Sequence, residues 1–408
     1  MEQQKKKWDL AALASIPLIM TLANSMLIPI LPLMQDKLKI TSVQSSLIIT
    51  VYAAISILFI PIAGFLSDRF GRKLIIIIGL SIAAIGGLVS GLAAWLLHSH
   101  VYIIILIGRL IQGIGAAGAF PIVLPLVGDM FKSEEEVSSG LGMIETSNTF
   151  GKVLSPILGS ALAMVVWFLP LIVIPIISLI SILAVLFLVK EPKKAQKTKV
   201  KFKQFLTTIK SILSKEGHWL YVIFAVGGSA MFIMFGVLYY LSSVLEDTYH
   251  IKGIWKGALL AIPLGAICIA SFTAGKMVGK SKSKMKWFTV IGIAVVAAVM
   301  LFCGIANTKN LITLISLMSV SGLGIGFVLP SLDSLITEGI DQKQRGTITS
   351  LYSSTRFIGV AAGPLVASVL LQKVTWLFYI FVGIAAICCL LALFFIKPDT
   401  NKAKTKAS

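Results

Sequence analysis

Three basic side chains and one acid stand inside stretches of this chain that are otherwise aliphatic: Arg109, Glu145, Lys152 and Arg356. A charge at bilayer depth costs about 2.5–3.5 kcal/mol, so each needs a partner or a task. Glu145 and Lys152 are seven residues apart in sequence. That is close to two helical turns, so they share one helix face about 10.5 Å apart along the axis. Asn148 lies between them on that face. A lysine in a helix leans toward the N-terminus, here toward Glu145, so a direct or water-bridged pair is expected. The chemistry open to such a group is uptake and release of a proton, governed by desolvation and by the nearness of a cation. Glu145, with Arg109 and Lys152, is therefore the candidate proton-coupling set. The other reading is a fixed Glu145–Lys152 pair that holds its helix in place.

The elements that must carry these ions are membrane spans. Of 408 residues, 57% are hydrophobic and 13% charged, outside the range of an ordinary soluble domain. Apolar stretches of about 20 residues, enough to cross a bilayer as helix, recur at 10–33, 43–66, 74–96, 101–126, 138–164, 167–189, 219–244, 254–275, 287–306, 311–334, 346–370 and 375–396. The run 10–33 follows Lys5 to Lys7 as a signal peptide would, but it is too long for one and no small-residue cleavage site follows. With the N-terminus inside, 27 of the 36 Lys and Arg fall on the cytoplasmic side, 6 on the outer side (Lys256 among them) and 3 within spans. This bias places both termini in the cytoplasm of a cell-membrane protein. The net charge of +19 belongs to these loops, facing lipid, and does not point to nucleic acid. The four cysteines sit in apolar runs and the four histidines at or beyond span ends. No metal site, bound cofactor or catalytic cluster is expected, and the chain does not read as an enzyme.

One long hydrophilic connector falls near the middle. It divides the chain into 1–189, a linker over 190–217, and 218–408. Phe202, Phe205, Leu206, Ile209, Ile212 and Leu213 recur in it at helical spacing between lysines. A helix lying on the inner membrane surface and a linker without fixed structure are both open readings. A shift of 208 residues lays Gly151 on Gly359 and Pro156 on Pro364. The two halves thus read as a parallel repeat, with a solute site expected between them near midplane.

Three motifs carry a family resemblance. Gly64-x-x-x-Asp68-Arg69-x-Gly71-Arg72-Lys73 joins the second and third spans, Gly108-Arg-Leu-Ile-Gln-Gly-Ile-Gly115 lies in the fourth, and Gly151-Lys-Val-Leu-Ser-Pro156-Ile-Leu-Gly159-Ser160 in the fifth. Together they resemble the signatures of the major facilitator superfamily, the last being similar to that of its twelve-helix drug/proton antiporters, with serines at 155 and 160 where glycine is usual. The resemblance implies the major facilitator fold: an all-α integral membrane protein of twelve transmembrane helices in two six-helix bundles. It implies a conformational latch at Gly64, Asp68, Arg69, Gly71 and Arg72, with Asp129 within reach of Arg72. It also implies a bend in the fifth span at Gly151, Pro156 and Gly159. A topogenic basic turn and simple packing glycines are the plainer readings.

Of the 17 acids only Glu145 falls deep in a span, whereas Asp9, Asp129 and Asp333 fall near inner ends. Three buried cations against one acid favour neutral, zwitterionic or anionic amphipaths. Asn24, Gln112, Asn148, Tyr239, Tyr240 and Arg356 are the candidate cavity residues, although the two tyrosines also suit a bilayer-boundary belt. The expected function is export of small amphipathic or drug-like compounds in exchange for protons, by a monomer that uses the proton gradient as its energy source. The alternatives are an importer or facilitator of a polar metabolite, and a non-transporting sensor or scaffold.

Overall fold

A computed structural model describes residues 2–130, 134–190, 217–278, 281–306, 310–340 and 342–396. The connector 191–216 with its expected surface helix, the tail from 397, and Lys132, Lys280 and Lys309 lie outside the described residues. Among the described residues thirteen α-helices follow in order: α1 Glu2–Ser25, α2 Leu31–Leu38, α3 Ser42–Phe70, α4 Arg72–Leu96, α5 Val101–Met130, α6 Glu134–Val165, α7 Leu169–Leu188, α8 His218–Asp247, α9 Gly253–Val278, α10 Lys282–Ala306, α11 Leu311–Gly339, α12 Gln342–Leu370 and α13 Val374–Phe395. No strand occurs among the described residues. With α1 and α2 taken together, this gives the twelve rods expected. By length and apolarity 10 helical stretches qualify as spans, the last of them, Thr347–Phe395, containing both α12 and α13. The rod left out is α6, which carries Glu145, Asn148 and Lys152.

The first span is not the single helix read from 10–33. It breaks after Ser25 into a 3-10 turn, Ile28–Ile30, and then α2. Pro29 and Pro32 each lack an N–H and each falls in the first turn of its piece, where no helical donor is missed. Elsewhere caps set the ends. Thr41 and Gln44 form a reciprocal capping box at the start of α3, the Thr41 N–H donating to Gln44 Oε1 and the Gln44 N–H to Thr41 Oγ1. Gly71, at φ 109°, permits the sharp turn from α3 into α4. Polar ends stay helical beyond the apolar runs, so α3 reaches Phe70 and α11 reaches Gly339.

Helix packing repeats. The main pairs in the first half are α4 with α5, α3 with α5, α4 with α7 and α1 with α6. Six spans later the same relations recur as α10 with α11, α9 with α11, α10 with α13 and α8 with α12. The main contacts between halves also come as a matched couple, α3 with α12 and α6 with α9.

Small residues make this closeness possible, as in membrane bundles generally, where backbones approach in the absence of a hydrophobic drive. A Cβ at Gly86 would lie 2.5 Å from the Gln112 backbone nitrogen, and one at Gly79 2.7 Å from the Gly115 carbonyl oxygen. Gly86→Val is expected to destabilise the protein by at least about 1–3 kcal/mol through overpacking. Gly265→Ala, where nothing lies within 4 Å, is expected to change stability by under about 0.5 kcal/mol. Thermal unfolding of the detergent-purified variants checks both; equal melting temperatures would contradict the packing.

Candidate functional site

Arg109 is the deepest ion, fully buried. Its Nε donates to the Ile48 carbonyl at 2.8 Å, Nη1 to the Ala23 carbonyl at 3.1 Å and to Gln112 Oε1 at 2.7 Å, and Nη2 to Asn24 Oδ1 at 2.6 Å. Its guanidinium lies 4.3 Å over the Tyr52 ring. One side chain of α5 thereby fastens α1 and α3. Arg109, Gln112 and Glu145 do not line the cavity, whereas Asn24, Asn148, Lys152 and Arg356 do.

The cavity, about 80 Å³, lies between the halves. That is room for a few water molecules rather than a solute. Thr21, Asn24, Ser25, Asn148, Lys152, Ser353 and Arg356 supply its polar wall, and Tyr52, Phe120, Phe235 and Phe357 its rings. Sequence alone did not point to the aromatic wall, because an aromatic in an apolar run reads as packing or boundary belt. A smaller void of about 10 Å³ shares Ser25, Lys152 and Phe235 with the cavity and adds Ile28, Pro29, Pro156 and Leu238.

Of the direct or water-bridged pair expected between Glu145 and Lys152, the direct form does not occur. Asn148 stands between them, its Nδ2 donating to the Glu145 carboxylate at 3.2 and 3.4 Å. Asn148 Oδ1 accepts from Thr21 Oγ1 at 2.6 Å, which ties α6 to α1. Side chains two turns apart are too distant for contact, and the asparagine fills the gap. Among the described residues no ion pair or hydrogen bond holds the Lys152 ammonium, although the residue is only 7% exposed.

The count of buried charges also changes. Asp333, read as a residue near a span end, lies well inside the longer α11 and pairs with Arg356 of α12 at 3.6 Å. Glu145, Lys152, Asp333 and Arg356 lie close enough to feel one another's charge. Two acids thus face two cations, drawn from both halves, and the excess of positive charge read from sequence shrinks from two to one, with Arg109, which no acid pairs among the described residues, left over. Lys256, read as a residue of an outer loop, is the second correction: it lies inside α9, 2% exposed, donating to Glu246 at 2.6 Å.

Tyr239 and Tyr240 do not line the cavity either. Tyr239 Oη donates to the Ser42 carbonyl at 2.8 Å and lies 3.1 Å from Ser45 Oγ. Tyr240 packs edge-on to Phe378, their ring centroids 5.2 Å apart. Tyr239 belongs to a seam between the halves, at the face where α3 begins. Ser242 Oγ donates there to the Ile28 carbonyl (3.0 Å), Thr50 Oγ1 to the Ala361 carbonyl (2.7 Å), and Ser46 Oγ lies 3.1 Å from Ser368 Oγ. Gly257 of α9 abuts the Pro156 carbonyl of α6 in the same seam.

At the other face, which carries the basic turn, Arg72 Nη1 meets Asp129 Oδ2 at 2.6 Å, and Nη2 lies 3.7 Å from Asp68 Oδ1. These three residues join the ends of α3, α4 and α5. Arg69 takes no part; its guanidinium stacks 5.4 Å over the neighbouring Phe70 ring. A Cβ at Gly64 would lie 3.5 Å from Ser350 Oγ of α12, so this motif borders the second half. In α6, Gly151 and Gly159 lie against the backbone of the first span at Leu18 and Met26. Pro156 cannot donate the helical bond to the Lys152 carbonyl.

The profile of the Major Facilitator Superfamily matches residues 13–364, with a second match over 340–408. The chain is 49% identical over 399 residues to the Bacillibactin exporter of Bacillus subtilis (strain 168), covering 98% of each protein. It is 24% identical over 363 residues to the Quinolone resistance protein NorA of Staphylococcus aureus (strain MSSA476), covering 86% of each. The solved structure of the human organic anion transporter MFSD10 (TETRAN) superposes with a TM-score of 0.74 over 95% of this chain and 99% of that one, at 19% identity, and shows the same fold.

Removing the guanidinium would leave two buried side-chain acceptors, Gln112 Oε1 and Asn24 Oδ1, without their donor, each costing about 1–3 kcal/mol when unmet, and would take two further bonds from the Ile48 and Ala23 carbonyls. Arg109→Met is therefore expected to lower stability by several kcal/mol, and Arg109→Lys by less, because one ammonium still reaches some of them. Thermal unfolding of both variants checks this; a melting temperature unchanged in Arg109→Met would contradict it.

Proposed function

The chain is a multi-pass membrane transporter that belongs to the Major Facilitator Superfamily, and from that premise we propose that it exports a small amphipathic, drug-like compound in exchange for protons. The observation that carries this reading is the cavity itself, which joins a wall of rings to one cation from each half, Lys152 and Arg356, with Asp333 paired to Arg356 behind the wall. Likeness to the Bacillibactin exporter along nearly the whole of both chains supports export and puts bacillibactin first among compounds to try. NorA, the more distant relative, is named for quinolone resistance, which agrees with drug-like cargo.

In this reading the two halves rock about the cavity as a monomer, with no cofactor and the proton gradient as the energy source. The basic face is cytoplasmic and both termini lie there. Solute enters from that face, the halves close over it, and the seam around Tyr239 parts to release it. Glu145 carries the proton. Its neighbours Lys152, Asp333 and Arg356 change its field as solute arrives, so proton and solute occupy the site in turn. The motif of Arg72, which borders the second half at Ser350, latches the two halves at the basic face while the opposite face is open.

Efflux of bacillibactin and a set of amphipathic drugs from cells with and without the protein, with internal pH recorded, tests the reading. Faster loss of at least one compound accompanied by acidification is expected; inward movement would favour an importer, and none in proteoliposomes a sensor. Glu145→Gln is expected to abolish the dependence of transport on a pH gradient while the protein stays in the membrane. Coupling that survives would move the proton to another group. Asp68→Asn is expected to slow turnover with little change in apparent substrate affinity, because it removes the negative charge that faces Arg72 at 3.7 Å. Turnover at the parent rate would remove the latch.

A further inference from the structure

The buried cations of this protein are not equivalent. Arg109 spends its donors on Ile48, Ala23, Gln112 and Asn24. Lys256 is paired with Glu246, and Arg356 with Asp333. Lys152 has neither an ion pair nor a hydrogen bond among the described residues, yet it is 7% exposed and lines the central cavity. Glu145, the nearest acid on its own helix, is engaged by Asn148. The other groups whose charge reaches it are Asp333, Arg356 and Cys268, and none of them contacts it. A buried ammonium costs several kcal/mol unless something supplies it with an oxygen. No protein group does so among the described residues, and the residue lines a chamber, so the missing oxygen belongs to whatever fills that chamber, water or solute.

Two further features fix what that occupant is like. Phe120, Phe235 and Phe357 face the same cavity with no polar duty, and Tyr52 adds its ring there. A flat aromatic body suits them, since stacked or edge-on rings gain beyond simple burial. Lys152 also lines the smaller void that runs toward the Tyr239 seam, together with Ser25, Phe235 and Pro156. The ammonium therefore stands at the boundary between the chamber and the route to the opposite face.

We infer that Lys152 is the anchor for an oxyanion carried on an aromatic solute, a carboxylate or ionised phenol whose rings lie among Tyr52, Phe120, Phe235 and Phe357. The inference rests on the export reading for the direction of travel, but not for binding. Such a solute supplies the charge-assisted hydrogen bond that the protein withholds. Amides of the same shape bind more weakly, and amines are repelled. The anchor holds the solute at the point where the opposite seam must open, so its release and the parting of that seam belong to one event.

The test uses three probes with one ring system: 2-naphthoate, 2-naphthamide and 2-naphthylmethylammonium. Their binding to the purified full-length protein is measured by calorimetry, and their movement in proteoliposomes under an imposed pH gradient. The naphthoate is expected to bind about tenfold or more tightly than the other two, the worth of one hydrogen bond to a charged group. Lys152→Met is expected to erase that preference while leaving naphthamide binding unchanged, and Lys152→Arg to keep most of it. Lys152→Met should also melt at a higher temperature than the parent, because an unpaired buried charge has gone; a structural lysine would give the reverse. Equal binding of the three probes by the parent, no binding of any, or an unchanged preference in Lys152→Met overturns the anchor. Charge-selective binding without transport overturns the export reading alone and leaves the anchor standing.

Discussion

Everything near the middle of this protein depends on one guanidinium having nowhere to go. Arg109 sits at a depth where water cannot reach it, and the chain answers with two carbonyls, two side-chain amides and a ring. The acceptors come from three helices, so the charge can be satisfied only when α1, α3 and α5 meet in one register. A hydrophobic contact between membrane helices tolerates sliding, since lipid is as good a neighbour as leucine. A buried cation with directional bonds does not. Asn24 is thereby fixed, and with it one wall of the cavity.

Around that fixed point the packing is permissive by design of its residues. Glycines at 79, 86, 108 and 115 bring α4 and α5 close enough for backbone to touch backbone. The same economy joins the halves, where Gly257 abuts the Pro156 carbonyl. Side chains long enough to interlock would hold two such surfaces in one arrangement. Small ones leave them smooth, so the halves can part without dragging ridges out of grooves. The chamber is small in this arrangement, and any solute it serves requires the halves to move.

Much of this could be read from residue order. Long apolar runs and the bias of Lys and Arg gave the rods, because the cost of charge in lipid is large and local. The approach of Arg72 to Asp129 followed from a basic turn and an acid at the inner end of the fourth span, both at the same face. What failed were judgements of depth and direction. Asp333 was placed near a span end because apolarity fades there, whereas the helix continues to Gly339 and draws the acid inside. Lys256 was placed in a loop for the same reason, and its partner Glu246 was not sought. Tyr239 and Tyr240 suit either the cavity or a boundary belt by polarity and position, and which face of a helix a side chain takes depends on neighbours from distant sequence. The aromatic wall left no signal of its own, since Phe120, Phe235 and Phe357 are unremarkable within apolar runs and become a surface only when three rods converge.

Among the described residues, the side-chain bonds that close the seam at the opposite face are made by hydroxyls: Ser242 and Thr50 to carbonyls, Ser46 to Ser368, and Tyr239 to Ser42 and Ser45. A neutral bond of this kind is worth about 0.5–1.5 kcal/mol net, because each partner can turn to water instead. The whole closure then amounts to a few kcal/mol. One elementary charge crossing a membrane held at 100 mV releases about 2.3 kcal/mol, which is of the same size. A barrier sewn from alcohols is thus matched to the work that a single ion can deliver, whereas one sewn from buried ion pairs would stay shut.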